Sequence, residues 1–191
     1  SLWNFKAPTF TISAGENSTF KVLEVAQHLL TTTEADAVLV GAVDLAGGLE
    51  SVLLHSKQAK INTGNHTLAF DEKVNGWMVG EGAGAVVLKR HDSAKASDNR
   101  IYAVVDAIAM TQQHSSEVKA NRLTPPSEEM VERVCNQAIQ DAGIKSGEID
   151  YLEVFGSGIQ EEDTAEIKGL LKSYPGDEQG FNCAIGSVKS N

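Results

Sequence analysis

Chemistry near neutral pH is carried by histidine, cysteine and carboxylate side chains held close together, so the spacing of these residues along the chain is informative by itself. The five histidines, His28, His55, His66, His91 and His114, show no ligand spacing with one another or with Cys135 and Cys183. A zinc site needs three or four converging ligands, so the histidines read as surface residues and no metal is expected. Cys135 lies on a helical stripe and Cys183 in an apolar strand pattern; both read as small core residues. Gly156-Ser157-Gly158 is not the G-x-S-x-G nucleophile elbow, and no histidine pairs with its serine in sequence. Gly80, Gly82 and Ala85 fit G-x-G-x-x-A. An irregular polar stretch precedes them and a strand pattern follows, whereas a dinucleotide site needs a strand before and a helix after. These glycines read as close packing or positive φ. Two carboxylate settings remain: Glu16 just ahead of an apolar helix, and Asp163 with Glu166 after the turn Phe155-Gly156-Ser157-Gly158-Ile159.

The elements that position these residues are legible from periodicity. Phe10–Ile12 reads as a short strand. From Ser18 the pattern is helical, with Phe20, Leu23, Ala26 and Leu30 near one face, widened by Val22, Val25 and Leu29. So broad a face predicts a helix covered on most sides, N-capped by Asn17 or Ser18. Ala37–Val43 is a continuous run of the kind buried on both faces of a sheet. A helix around Leu49–His55 follows, then a polar irregular segment to Asn75. The glycines at 80–84 lead into a strand, Ala85–Leu88. His91–Arg100 reads as a charged hairpin-like stretch, and Ile101–Ala109 as a long strand. Beyond the loop 111–127, Ser127 with Glu128 and Glu129 starts a helix, and Gly143 stops it. Ile149–Val154 is the next strand, Glu161–Ser173 the next helix and Cys183–Val188 the last strand. Alternating strands and helices place the chain in the α/β class.

Composition narrows the function. Hydrophobic residues at 41% and charged residues at 22% give a globular balance, which excludes a disordered or collagen-like chain. A formal charge of −10 with no basic run argues against a nucleic-acid backbone or an anionic membrane surface as partner. Two cysteines are too few for a stapled secreted module, so a reduced cytoplasmic setting is expected. No apolar run approaches spanning length.

Laid end to end, these segments resemble the β-ketoacyl synthase (condensing enzyme) family of the thiolase fold. Asp36 and Ala37–Leu45 look like the family's "DAALVGGV" strand. Phe70-Asp71 followed by Asn75-Gly76-Trp77-Met78-Val79-Gly80-Glu81-Gly82-Ala83-Gly84-Ala85-Val86-Val87-Leu88 looks like "FD…DGFVxGEGAGxxVL", a highly specific signature. Leu123-Thr124-Pro125-Pro126-Ser127 is similar to "LTAPS". Tyr151-Leu152-Glu153-Val154-Phe155-Gly156-Ser157-Gly158-Ile159 with Asp163 and Glu166 is similar to "YVEAHGTGTxxGDxxE", and Gly186–Asn191 to the opening of "GSVKSNxGH". The resemblance implies a thiolase-like, layered α-β-α-β-α architecture in partial copy. Residues 1–191 are then expected to be a fragment of one ketosynthase-like domain, the end of its N-terminal half plus most of its C-terminal half, truncated at both ends. Such a piece should leave apolar surface and sheet edges for another chain or a proteolysed remainder to cover.

In that family a cysteine at a buried helix N-terminus takes an acyl chain as a thioester, and two histidines assist decarboxylation of a malonyl unit and stabilise the oxyanion. Aligning Val22–Ala26 with the family's "ALxLA" places Glu16 at the cysteine position. Phe155 stands at the first histidine position, the second would lie beyond Asn191, and Lys189 matches the family's lysine. A carboxylate makes no thioester and a phenyl ring donates no proton. This pattern resembles the chain-length factor, a pseudo-ketosynthase of polyketide and polyunsaturated fatty acid synthases, although those carry Gln at the cysteine position. The resemblance implies a non-condensing domain that dimerises with an active ketosynthase, or an identical subunit, and shapes the acyl tunnel. It implies no resident cofactor, acyl groups arriving on the phosphopantetheine of an acyl carrier protein. The alternative is an active family acyltransferase or a malonyl-carrier-protein decarboxylase using Glu16. A third reading leaves Glu16 as a helix-terminal carboxylate and the domain as packing for its neighbours.

Overall fold

The computed structural model describes residues 7–66, 68–112, 125–176 and 181–188. Along them run α1 (Ser18–Thr31), β1 (Ala37–Leu45), α2 (Leu49–Gln58), β2 (Glu81–Lys89), α3 (His91–Ala96), α4 (Glu128–Ala142), β3 (Tyr151–Glu153), α5 (Gln160–Ser173) and β4 (Ala184–Gly186), with a 3-10 turn at Ser146–Glu148. The alternation is that of an α/β chain. The contacts divide it into two units, Ser1–Asp44 with Gly82–Ile108, and Leu45–Glu81 with Ala109–Asn191. No helix among the described residues is long and apolar enough to cross a membrane.

In the first unit β1 pairs with β2. Along β1 only Val40 is fully buried, with Val38 and Ala42 turned the same way, while Leu39 and Val43 are 72% and 69% exposed. The expected burial on both faces is therefore corrected: strand alternation gives one inward face, and nothing among the described residues covers the other. Val87 on β2 is open in the same manner. Helix α1 likewise buries only Ala26 and Leu30, and Phe20 stays exposed, so its covered stripe is narrower than its apolar pattern. Arg90 closes the C-terminal end of α1, where carbonyls lack helical partners. Its guanidinium donates to the Leu30 carbonyl at 2.9 Å, the Ala35 carbonyl at 3.1 Å and Asp36 Oδ1 at 3.3 Å.

Three expectations in this unit change. Residues 10–12 form no strand. The charged stretch after Arg90 begins as α3 rather than a hairpin; Asp92 in its first turn and Lys95 in its last complement the helix dipole, and Ala94 supplies a buried contact. Residues 101–109 form no strand either, because their apolar side chains, Tyr102 among them, find no neighbouring ladder among the described residues.

The second unit is built on α4, α5 and a parallel pair, β3 and β4, in register Tyr151↔Ala184, Leu152↔Ile185, Glu153↔Gly186. Ladder-like bonds extend the pair at either end, Ala184 N–H to the Asp150 carbonyl and Val154 N–H to the Gly186 carbonyl. Helix α4 starts and stops as its sequence predicts. The Ser127 hydroxyl accepts from the Met130 N–H at 3.3 Å, and Gly143 ends the helix with φ +67°. Val131, Cys135 and Ile139 on α4 pack against Val154, Leu170 and Tyr174, joined by Ile149, Leu152 and Phe181. The helices approach closely at Gly169, where a Cβ would lie 2.5 Å from Val131 Cβ. Helix α2 buries none of its residues, and Leu49, Leu53 and Leu54 are exposed.

Candidate functional site

The turn joining β3 to α5 carries Phe155, and its shape follows from glycine. Gly156 has φ +55° and Gly158 φ +78°, a left-handed geometry that side chains with a Cβ adopt at a cost. Such a turn leaves its N–H groups without ladder partners, and the first half of α5 supplies acceptors. Asp163 and Glu166, three apart, share one helix face. Glu166 Oε1 accepts from the Phe155 N–H at 2.6 Å, and its Oε2 from the Gly156 N–H at 2.9 Å. Asp163 Oδ1 accepts from the Ser157 hydroxyl at 3.1 Å and the Gly158 N–H at 3.2 Å. Its Oδ2 accepts from the Phe70 N–H at 3.0 Å, so a residue from a remote loop joins the turn. Ser157 is 2% and Asp163 4% exposed, which makes each of these bonds costly to lose.

Ser157 is structural. Its hydroxyl donates to Asp163 and accepts from the Ile159 N–H, using the oxygen both ways in a buried setting. The Gly158 carbonyl accepts from the Gly76 N–H at 2.9 Å, a second tie to the segment around Phe70. Held by these bonds, the Phe155 side chain is 43% exposed. Beyond β4 the backbone is fastened by Glu153, whose carboxylate accepts from the Tyr151 hydroxyl and from the Val188 N–H, each at 2.6 Å. Those two donors, the tyrosine first, hold the Glu153 carboxyl below its ordinary range.

Glu16 belongs to the first unit and Phe155 to the second. Glu16 is exposed and lies one residue before Asn17, the N-cap of α1. The turn beneath it is closed by the Asn17 N–H to the Ala14 carbonyl, with Gly15 at φ +60°. Of the two capping candidates, Asn17 holds the N-cap position, but its side chain makes no capping bond. The Ser18 hydroxyl instead accepts from the Ala14 N–H and donates to the Gly15 carbonyl, fixing the turn rather than the helix. Lys189, the third residue singled out in the sequence, lies outside the described residues, as do His114, Leu123 and Thr124.

The remaining candidates take quiet roles. The Cys135 thiol is pushed up mainly by burial, opposed by a hydrogen bond with Tyr174, and is a core group. Cys183 is half-buried just before β4. His55 packs on Trp77 with ring centroids 4.6 Å apart, and His28, His66 and His91 are exposed. Gly82, Gly84 and Ala85 lie within β2, not in a loop before a helix. The residue whose part in the site the sequence does not disclose is Phe70, whose backbone has φ +60°. Its only signal is adjacency to Asp71 in the motif; the strain has no sequence signature.

Known proteins match the chain along its whole length. The model of the β-ketoacyl synthase N-terminal domain matches residues 1–94, and that of the C-terminal domain matches residues 102–191. A polyunsaturated fatty acid synthase polypeptide of a Thraustochytrium species is 34% identical across all of this chain, which spans 9% of that protein. The polyketide synthase PksL of Bacillus subtilis is 33% identical over 98% of this chain, which spans 4% of it. Among solved structures, the ketosynthase from module 1 of the Bacillus amyloliquefaciens bacillaene synthase superposes with a TM-score of 0.81 at 30% identity. That match covers 97% of this chain and 34% of the other. The ketosynthase from module 6 of the Bacillus subtilis bacillaene synthase gives 0.75 at 32% identity over 92% of this chain and 31% of its own.

Proposed function

Since the chain belongs to the β-ketoacyl synthase family and has its thiolase-like fold in partial copy, we propose that it is a non-condensing ketosynthase-like domain of the chain-length-factor type. It partners an active β-ketoacyl synthase, or a second copy, and helps shape the tunnel that holds the growing acyl chain. The observation that carries this reading is the turn at Phe155. Its backbone is firmly held, with Glu166 and Asp163 accepting from consecutive groups of the turn, while the side chain it presents is a phenyl ring. A ring without a proton to donate cannot stabilise a developing oxyanion, and losing one such donor costs about 10²–10³ in rate. Glu16, at the position corresponding to the family's nucleophilic cysteine, lacks the sulfur a thioester requires.

Acyl groups on this reading come to the domain on the phosphopantetheine of a carrier protein, in the cytoplasm, and the domain holds no resident cofactor. Lys189, matching the family's lysine, is retained as part of the frame rather than of a working catalytic set. The test supplies the intact protein with acyl- and malonyl-carrier protein, alone and with an active ketosynthase. Alone it should form no carbon–carbon bond and release no carbon dioxide; with the partner, product should form. Condensation by the protein alone, lost in Glu16→Ala, overturns the reading. Release of carbon dioxide without condensation, again lost in Glu16→Ala, replaces it with a decarboxylase.

A further inference from the structure

Among the described non-glycine residues of the second unit, Phe70 alone has a positive φ, +60°. A bulky residue keeps that conformation only where its surroundings over-determine it, and such strain gathers where a side chain must be aimed. Here the surroundings are specific. The Phe70 N–H is held by Oδ2 of buried Asp163, whose Oδ1 holds Ser157 and Gly158. One carboxylate therefore fixes both the loop that carries Phe70 and the turn that carries Phe155. The ring then meets the turn directly: Phe70 Cε2 lies 3.2 Å from the point a Cβ on Gly156 would occupy, and Ala69 Cβ lies equally close. Any side chain at 156 would push the ring away, so the glycine serves the contact as well as the left-handed turn.

We propose that Phe70 is a positioning residue for the side chain at 155: its strained backbone, latched by Asp163, braces its ring against Gly156 and so sets the direction in which residue 155 projects. The inference does not depend on whether the domain condenses, decarboxylates or does neither, since it concerns what aims position 155. It also explains why a buried carboxylate spends one oxygen on a loop ninety-three residues away.

The test places 4-fluorophenylalanine at position 155 of the intact protein and follows its fluorine resonance. In Phe70→Ala and Phe70→Gly the resonance should shift and broaden, and in Phe70→Tyr it should return to its original position and width. A second readout isolates the backbone: Phe70→Gly should melt at or above Phe70→Ala, because glycine alone takes φ +60° without penalty. A resonance unmoved in both truncations overturns the bracing role, and a Phe70→Ala variant melting above Phe70→Gly overturns the strain. Where the truncations do not fold, Phe70→Leu decides: a resonance shifted from the parent's supports the brace, and one identical to it shows that the ring is not needed.

Discussion

Replacing Asp163 by asparagine isolates the chemistry of the latch, because the shape is kept and one acceptor oxygen becomes an NH2 donor. Asp163 accepts from Phe70 N–H at 3.0 Å, the Ser157 hydroxyl at 3.1 Å and Gly158 N–H at 3.2 Å, all at a side chain 4% exposed. Asparagine does best by keeping its oxygen where two donors converge and turning its amide toward Phe70. One charge-assisted bond is then lost outright, about 1.5–3 kcal/mol. The two others fall to roughly half their strength as the acceptor loses its charge. Easier burial of a neutral group offsets part of this, leaving a net loss of about 3 kcal/mol. With a urea slope of about 2 kcal/mol/M the unfolding midpoint should drop by about 1.5 M. Residue-resolved amide exchange supplies the local signature: Phe70 should lose the most protection and Gly158 less. Phe155 and Gly156, bound to Glu166, should keep theirs. A midpoint within about 0.3 M of the parent, or an unchanged Phe70 amide, refutes the argument that this carboxylate holds loop and turn together.

Gly169→Ala should destabilise in spite of alanine's higher helix propensity. The new Cβ would sit 2.5 Å from Val131 Cβ and 2.7 Å from the Glu128 carbonyl; overpacking of about 1–3 kcal/mol outweighs a propensity gain of about 1 kcal/mol, and calorimetry should show a lower melting temperature. Tyr174 gives an alkaline signature, its hydroxyl pushed up to about 12, first by burial and then by Cys135. A raised folded pKa favours the protonated fold, so this contribution is intact below the unfolded value of about 10 and lost as pH rises toward the folded one. Phenolate absorbance should show two tyrosines titrating late, Tyr174 and also Tyr151, whose hydroxyl is pushed up by its bond to the Glu153 carboxylate. Tyr174→Phe should remove one of the two late steps.

Much of the frame is legible in the chain because it is decided locally. The apolar stripe of α4, its Ser127 cap and its Gly143 stop depend on neighbours within one or two turns, and they stand where the sequence places them. The motif around Phe155 announces the glycine turn and the two carboxylates, three apart on one helix face. What those carboxylates hold is not legible, since Phe70 reaches Asp163 from ninety-three residues away and no short-range pattern encodes that bond. The left-handed backbone of Phe70 is similarly invisible, because local preference opposes it and only tertiary contacts sustain it.

The same division explains the strands. Apolar runs mark β1 and the stretch 101–109 as strand-like, but whether a run is buried on two faces, one or none depends on what packs over it. In β1 alternation leaves a single inward face, and the stretch at 101–109 joins no ladder among the described residues. Periodicity and turn chemistry, acting over a few residues, set the order and class of the elements. Coverage, register and the aim of the side chain at 155 arise from contacts between distant segments, and only the folded chain decides them.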